Sequence, residues 1–408
     1  MPYPTKSVKI AQINGIPEPR KRREDASGEI ADGTSTQRPI RPQFRARWPA
    51  RPILATLAVL LTLGAVAAAC GSGDSDSTAS AETAAAEVAE SGEATGRLRL
   101  GYFANVTHAP ALIGEEADIF AEHLGNGVEI EYKYSRSGTE AIEALFSGAI
   151  DASFTGPNPA INGFAQSDGK ALRIVAGTTS GGAALVVRDG IETPADLQGA
   201  KLATPSLGNT QDVALRAWLA DQDLETDTTG GGDVSILPQE NADTLTAFQA
   251  GDIDGGWVPE PWATQLLLEG GGHVLVDERD LWPDGQFVTT HLFVATEYLA
   301  ENPAIVRGLL NGLLDAIDVA NGDPAEAQRL TNAGIERITT RALPPETIAG
   351  AWETLSFSPD PIAASLVTSA ENAVEVGLLE PVELDGIYDL TILNELLAER
   401  GQPEVEGL

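Results

Sequence analysis

One block of sequence occurs twice in this chain, and the repeat limits the folds open to it. Phe146-Ser147-Gly148-Ala149-Ile150-Asp151 leads on to Pro157-Asn158-Pro159-Ala160. Further along, Phe248-Gln249-Ala250-Gly251-Asp252-Ile253-Asp254 leads on to Pro259-Glu260-Pro261-Trp262-Ala263. Each copy reads as a helix end, a glycine turn, an Ile-Asp strand and a Pro-x-Pro elbow that opens the next helix. Each copy also sits inside its own series of short strands alternating with helices. Such alternation means βαβ units and a parallel sheet covered by helices on both faces.

The first series begins near Arg97 with Leu98 to Phe103, and continues with strands at 128–134, 150–154, 172–176 and 184–187. The pattern restarts at Thr193-Pro194-Ala195-Asp196-Leu197, where Thr193 suits an N-cap. Strands follow at 201–204, 234–237 and 253–258, with helices after Gln211 and over 242–248. A last strand is predicted at 292–296, and residues 302–400 are predicted to be chiefly helical. The predicted class is α/β, with two lobes of mainly parallel sheet flanked by helices and two hinge crossings between them. Lobe one takes 97–187 plus 290–408, and lobe two is the insert 188–289.

The segment before residue 97 reads differently. Ile53 to Ala69 is an uncharged, mostly apolar run preceded by Arg45, Arg47 and Arg51 and closed by Ala67-Ala68-Ala69-Cys70. A basic region, an apolar run and small residues before a cleavage point are the parts of an export signal. Residues 1–69 are therefore expected to be a signal peptide with a long basic start. Cys70 looks like the acylated residue of a bacterial lipobox, although Ala67 stands where Leu is usual. An uncleaved membrane anchor is the alternative, against which the run is short for a span. Residues 70–96, rich in Ser, Ala, Glu and Thr, read as a flexible tether. An extracytoplasmic, lipid-anchored monomer is the expectation.

Charge narrows the partners. The formal net charge is −34, and residues 1–69 hold 11 of the 26 basic residues but only 5 of the 60 acidic ones. The remainder repels nucleic acid and anionic lipid. One Cys and four His give no basis for a soft-metal site, and no cofactor is expected. The sequence holds no Gly-x-Ser-x-Gly, His-Glu-x-x-His or Gly-x-x-x-x-Gly-Lys motif, so a binding protein is expected rather than an enzyme.

In open α/β sheets, ligands bind beyond the carboxyl ends of strands, near helix starts. On lobe one those loops hold Asn105, Thr107, His108, Ser135, Ser137, Thr155, Asn158, Thr178 and Thr179. On lobe two they hold Asn209, Thr210, Gln211, Trp257 and Glu260. Backbone N–H groups at helix starts, with hydroxyls beside them, suit a small oxyanion. Any single Ser or Thr there is more often an N-cap than a ligand contact; the number of such loops on one edge carries the reading. Trp257 is read as an aromatic wall for an organic ligand, and Trp262 as either wall or interlobe contact. Glu260 can accept from an amine or hydroxyl of the ligand, or merely complement a helix dipole. His273 and His291 read as structural.

Leu98 to Tyr102, Leu145 to Asp151, Pro194 to Lys201, Ala250 to Asp254 and the elbow Val258-Pro259-Glu260-Pro261-Trp262 together resemble the nitrate/sulfonate/taurine substrate-binding family of ABC importers. The resemblance covers roughly 97 to 320. It implies a two-lobed periplasmic-binding-protein-like fold of type II, closing on a small ligand that is passed to a permease with its ATPase. It implies ligand loops at Asn105–His108, Ser135–Gly138, Thr155–Asn158 and Asn209–Gln211, with an acid at Glu260. A sulfonate or taurine-like anion is the leading expectation. Nitrate, bicarbonate, a thiamine-pyrimidine precursor, a sensor role and an extracytoplasmic enzyme acting on a small acid stay open.

Overall fold

A computed structural model describes residues 94–408. The expected signal peptide, Cys70 and the expected tether up to residue 93 lie outside the described residues. Among the described residues, no helix is long and apolar enough to cross a membrane.

The chain opens with β1 (Gly96–Tyr102), where Leu98, Leu100 and Tyr102 alternate inward. It continues through α1 (Ala109–Glu116), α2 (Ile119–Leu124), β2 (Val128–Tyr134), α3 (Gly138–Phe146), β3 (Ala152–Thr155), α4 (Pro157–Gln166) and β4 (Leu172–Gly181). The insert comprises β5 (Ala183–Val187), β6 (Lys201–Thr204), α5 (Thr210–Asp221), β7 (Ser235–Pro238), α6 (Asn241–Ala250), β8 (Gly255–Pro259), α7 (Trp262–Leu268) and β9 (His273–Asp277). The return holds β10 (Val288–Ala295), α8 (Thr296–Glu301), α9 (Pro303–Gly322), α10 (Pro324–Thr339), α11 (Pro345–Glu353), β11 (Leu355–Phe357), α12 (Ala363–Glu375) and α13 (Thr391–Glu399).

Two sheets result, ordered β11-β4-β10-β3-β1-β2 and β7-β6-β8-β5-β9. Reading the second backwards pairs β9 with β4, β5 with β10, β8 with β3, β6 with β1 and β7 with β2, so the sheets share one strand order. The repeated Ile-Asp blocks hold equivalent places. The Asp151 carboxylate accepts from Arg99 N at 2.7 Å, while Asp151 N donates to Arg99 O at 2.9 Å. The Asp254 carboxylate accepts from Lys201 N at 2.8 Å, while Asp254 N donates to Lys201 O at 2.8 Å. Each aspartate thus locks two neighbouring parallel strands in register. Its glycine, Gly148 or Gly251, has a φ of +67° or +81°, a turn conformation that L side chains adopt at a cost.

Two expectations need correction. Val187 does not end the first lobe: β5 pairs antiparallel with β8 and β9 in the second sheet. The first crossing is at Gly181-Gly182, both at positive φ (+78° and +71°), which lets the chain swing from β4 straight into β5. The sheets are also mixed rather than mainly parallel. β1 pairs in parallel with β2 and β3, whereas β10 runs antiparallel to β3 and β4. The reason is the crossing itself. A βαβ strand ends at the cleft, but β10 and β5 enter their lobes from the hinge and run the other way.

Helices cover both faces of each sheet, and the period of two sorts the side chains accordingly. In β10, Leu292 and Val294 join the core under α1, α9 and α13, while Phe293 joins the core under α3, α4 and α12. In β5, Leu185 and Val187 pack beneath α5, and Ala184 and Val186 beneath α6 and α7.

Candidate functional site

The carboxyl ends of β1, β2, β3 and β6 face a cavity of about 40 Å³ between the lobes. Helix starts surround it. His108 precedes α1, Ser137 caps α3 and Gly156 caps α4. Asn209 caps α5, and Asn241 is the first residue of α6. The first N–H groups of a helix have no acceptor within it. Ser137 Oγ accepts from Glu140 N at 3.3 Å and Asn209 Oδ1 from Asp212 N at 3.0 Å. The earlier amides of α3 and α5 therefore remain for a ligand. Their dipoles make the cavity positive without a buried cation. Arg136 is the one charged side chain on the wall, and it pairs with Glu240 of the other lobe at 3.0 Å.

Neutral donors complete the wall. Burial pushes the His108 imidazole down to about 3, so it is uncharged. Its Nδ1 accepts from Phe103 N at 3.3 Å, which places the proton on Nε2, and its ring stacks on Phe103 at 4.3 Å. Thr155 Oγ1 is buried with no partner among the described residues, and so is Asn241 Oδ1. Thr290 lines the cavity while its Oγ1 donates to Thr107 O at 3.0 Å. A second space of about 380 Å³ adjoins it as a vestibule, walled by Phe103, Tyr134, Trp262 and Ile338.

Of the residues predicted for the site, Asn105, Thr107, His108, Ser137, Thr155, Asn209, Thr210 and Gln211 line the cavity. Ser135 lines the vestibule. The other candidates are not on the cavity wall. Asn158 turns away, its Nδ2 donating to Ser369 O at 3.0 Å. Thr178 lies behind β10, its Oγ1 bonded to Thr290 O at 2.8 Å, with Thr179 buried beside it. Trp257 sits in the core of the second lobe, because its position in β8 faces α5; it packs on Trp218 and donates to Glu278 Oε2 at 2.7 Å. Glu260 folds back onto its own helix, accepting from Thr264 N at 3.1 Å and Thr264 Oγ1 at 3.0 Å. Trp262 is an interlobe contact, donating to Asn105 Oδ1 at 3.0 Å. His291 is buried and structural, its Nε2 facing Pro361 O at 3.2 Å.

Gly156 falls within the expected Thr155–Asn158 loop, whereas sequence reasoning missed Asn241, Thr289 and Thr290. Asn241 had a signal, as a polar residue immediately before the helix predicted over 242–248. Thr289 and Thr290 belong to the start of β10, which the predicted strand at 292–296 left out.

Burial raises the Glu260 carboxyl to about 7, against the pull of the Thr264 donors. A carboxyl raised on folding adds stability below its ordinary pKa near 4.5 and loses it as pH climbs through 7. Glu260→Gln is thus expected to raise the unfolding free energy at pH 8, by about 3 kcal/mol, and to leave it nearly unchanged at pH 4.5. Thermal melts at the two pH values check this. Anion affinity is expected to stay within about twofold, since Glu260 is off the wall; a large loss would restore it as a ligand residue.

A family profile described as NMT1-like matches residues 91–334. The chain belongs to the NMT1-like family. This NMT1-like chain is 27% identical over 217 residues to the taurine-binding periplasmic protein of Escherichia coli, covering 52% of this chain and 64% of that protein. It is 33% identical over 178 residues to an Escherichia coli protein named as binding aliphatic sulfonates, covering 43% of this chain and 52% of the relative. The alignments thus span less than two thirds of either relative. The periplasmic nitrate-binding protein NrtA of Synechocystis superposes with a TM-score of 0.63 at 17% identity, covering 75% of this chain and 89% of that one, and so shares the fold.

Proposed function

We propose that this NMT1-like protein is an extracytoplasmic solute-binding protein, without catalytic activity, that closes its two lobes on a small organic oxyanion. The observation that carries the reading is the wall of the interlobe cavity. It joins helix starts from both lobes, neutral donors and no buried charge. A cavity of about 40 Å³ suits an oxyanion head, and the aromatic vestibule suits a short organic tail. A sulfonate with such a tail uses both spaces, whereas nitrate or bicarbonate fills only the first. The vestibule carboxylate, Glu240, is already paired with Arg136 at 3.0 Å, so an uncharged tail is favoured over taurine's ammonium. The closed lobes would then dock on a permease served by an ATPase, with Cys70 as the lipid anchor.

Thermal unfolding against a ligand panel tests this, because a ligand that binds only the folded state raises the midpoint. Short alkanesulfonates are expected to shift it most, and nitrate, bicarbonate and taurine less. The sulfonate shift should persist from pH 5 to 8, since His108 stays neutral there, and shrink in His108→Ala. A shift confined to a pyrimidine or a carboxylate would overturn the ligand class. Product formation from any panel member would overturn the binding-protein reading.

A further inference from the structure

A second cavity, of about 240 Å³, shares no wall residue with the anion cavity. Its walls come from both sides of the hinge: Trp218 and Asp221 from α5, Glu278 and Trp282 from the linker after β9, and Glu375 from α12. Three carboxylates and two indoles line it, and no Lys or Arg does.

Glu278 is the telling residue. It is 1% exposed yet reaches the cavity wall. Its Oε2 accepts from Trp257 Nε1 at 2.7 Å. Trp282 is a second side-chain donor to it, yet burial outweighs both indoles and raises the carboxyl to about 7. A buried carboxylate without a counter-charge is costly, and a cation beside it removes that cost. The aromatic walls are themselves fixed. Trp218 packs on Trp257 at 6.0 Å, and Trp282 stacks on Phe287 at 5.5 Å with 15° between the rings. Indole faces attract cations, and carboxylates around them add to the attraction. Among the described residues, no three His, Cys, Asp or Glu side chains gather closely enough to hold a metal ion. The three acids here are therefore spread around a volume larger than a metal needs.

We propose that this interlobe cavity binds a small organic ammonium ion, held by Glu278, Asp221 and Glu375 between the faces of Trp218 and Trp282. The site is independent of the anion reading. Its walls meet only when α5 and α12 are together, so the ion favours that arrangement of the lobes.

The test uses the full chain and tetramethylammonium chloride, with sodium chloride at equal ionic strength as the reference, followed by tryptophan fluorescence. A saturable change is expected with tetramethylammonium alone. Asp221→Asn and Glu375→Gln, both at exposed positions, should each raise the apparent Kd at least threefold, and Glu278→Gln at least tenfold. Trp282→Ala should remove binding. If Glu278→Gln fails to fold, the two exposed variants decide the matter. No saturable change beyond that of sodium chloride, or an unaltered Kd in the Asp221→Asn/Glu375→Gln double variant, overturns the site.

Discussion

Gly156→Val is expected to lower the affinity for the anion at least tenfold, worth about 1.4 kcal/mol, while leaving the lobes folded. Gly156 sits before α4 with φ −71° and ψ 165°, a conformation any residue can adopt. Its one obstacle to a side chain is the opposite lobe: a Cβ there would run into Thr210 Oγ1 at the start of α5. The clash exists only when the lobes are closed. Valine therefore penalises closure, and a ligand that binds the closed state must supply the difference. Gly156→Ala should weaken binding less, because a turn of the Thr210 hydroxyl can make room for one methyl. Calorimetric titration of the graded pair measures this. Equal affinity in Gly156→Val and the parent would mean that binding does not require the lobes to meet here.

Asp212→Ala is expected to cost about 3–5 kcal/mol of stability. Asp212 is fully buried in α5, and its Oδ2 accepts from Arg216 Nε at 3.0 Å. The same carboxylate accepts from Thr204 Oγ1 at 2.8 Å and from Gly208 N at 2.9 Å. Arg216 is itself buried, and its other recorded bond runs to Asp227 O at 2.6 Å. Removing Asp212 strands a guanidinium in the interior and releases the loop that presents Asn209, Thr210 and Gln211. Stability and anion binding should fall together. Asp212→Asn keeps an acceptor and should lose less. Denaturant unfolding gives the answer, and a loss below about 1 kcal/mol would show that water or another group takes over the pair.

The alternation of strands and helices was legible because period two and helical spacing are local properties. The repeated Ile-Asp block was legible too, and Asp151 and Asp254 show its physical use: both clamp neighbouring strands. The sheet to which a strand belongs was not. Nothing within Ala183–Val187 says which lobe it joins; only the Gly181-Gly182 pair before it marks the crossing. β9, a short, half-exposed edge strand after a glycine turn, likewise carries no mark of the sheet it joins. The loops that line the cavity were readable because helix starts after strands fall on one edge. Orientation within them was not. Trp257 and Glu260 have suitable chemistry, yet strand register turns the first into the core and Thr264 draws the second back. Asn158 likewise belongs to the right loop but points to α12.

Capture of an organic oxyanion between the lobes is tested by locating 2-bromoethanesulfonate in crystals of the protein by anomalous scattering. The sulfur is expected inside the cavity walled by Ser137, Gly156, Asn209 and Asn241, and the bromine in the vestibule by Phe103 and Trp262. A sulfonate bound outside the space between the lobes, or one whose bromine points away from the vestibule, would contradict it.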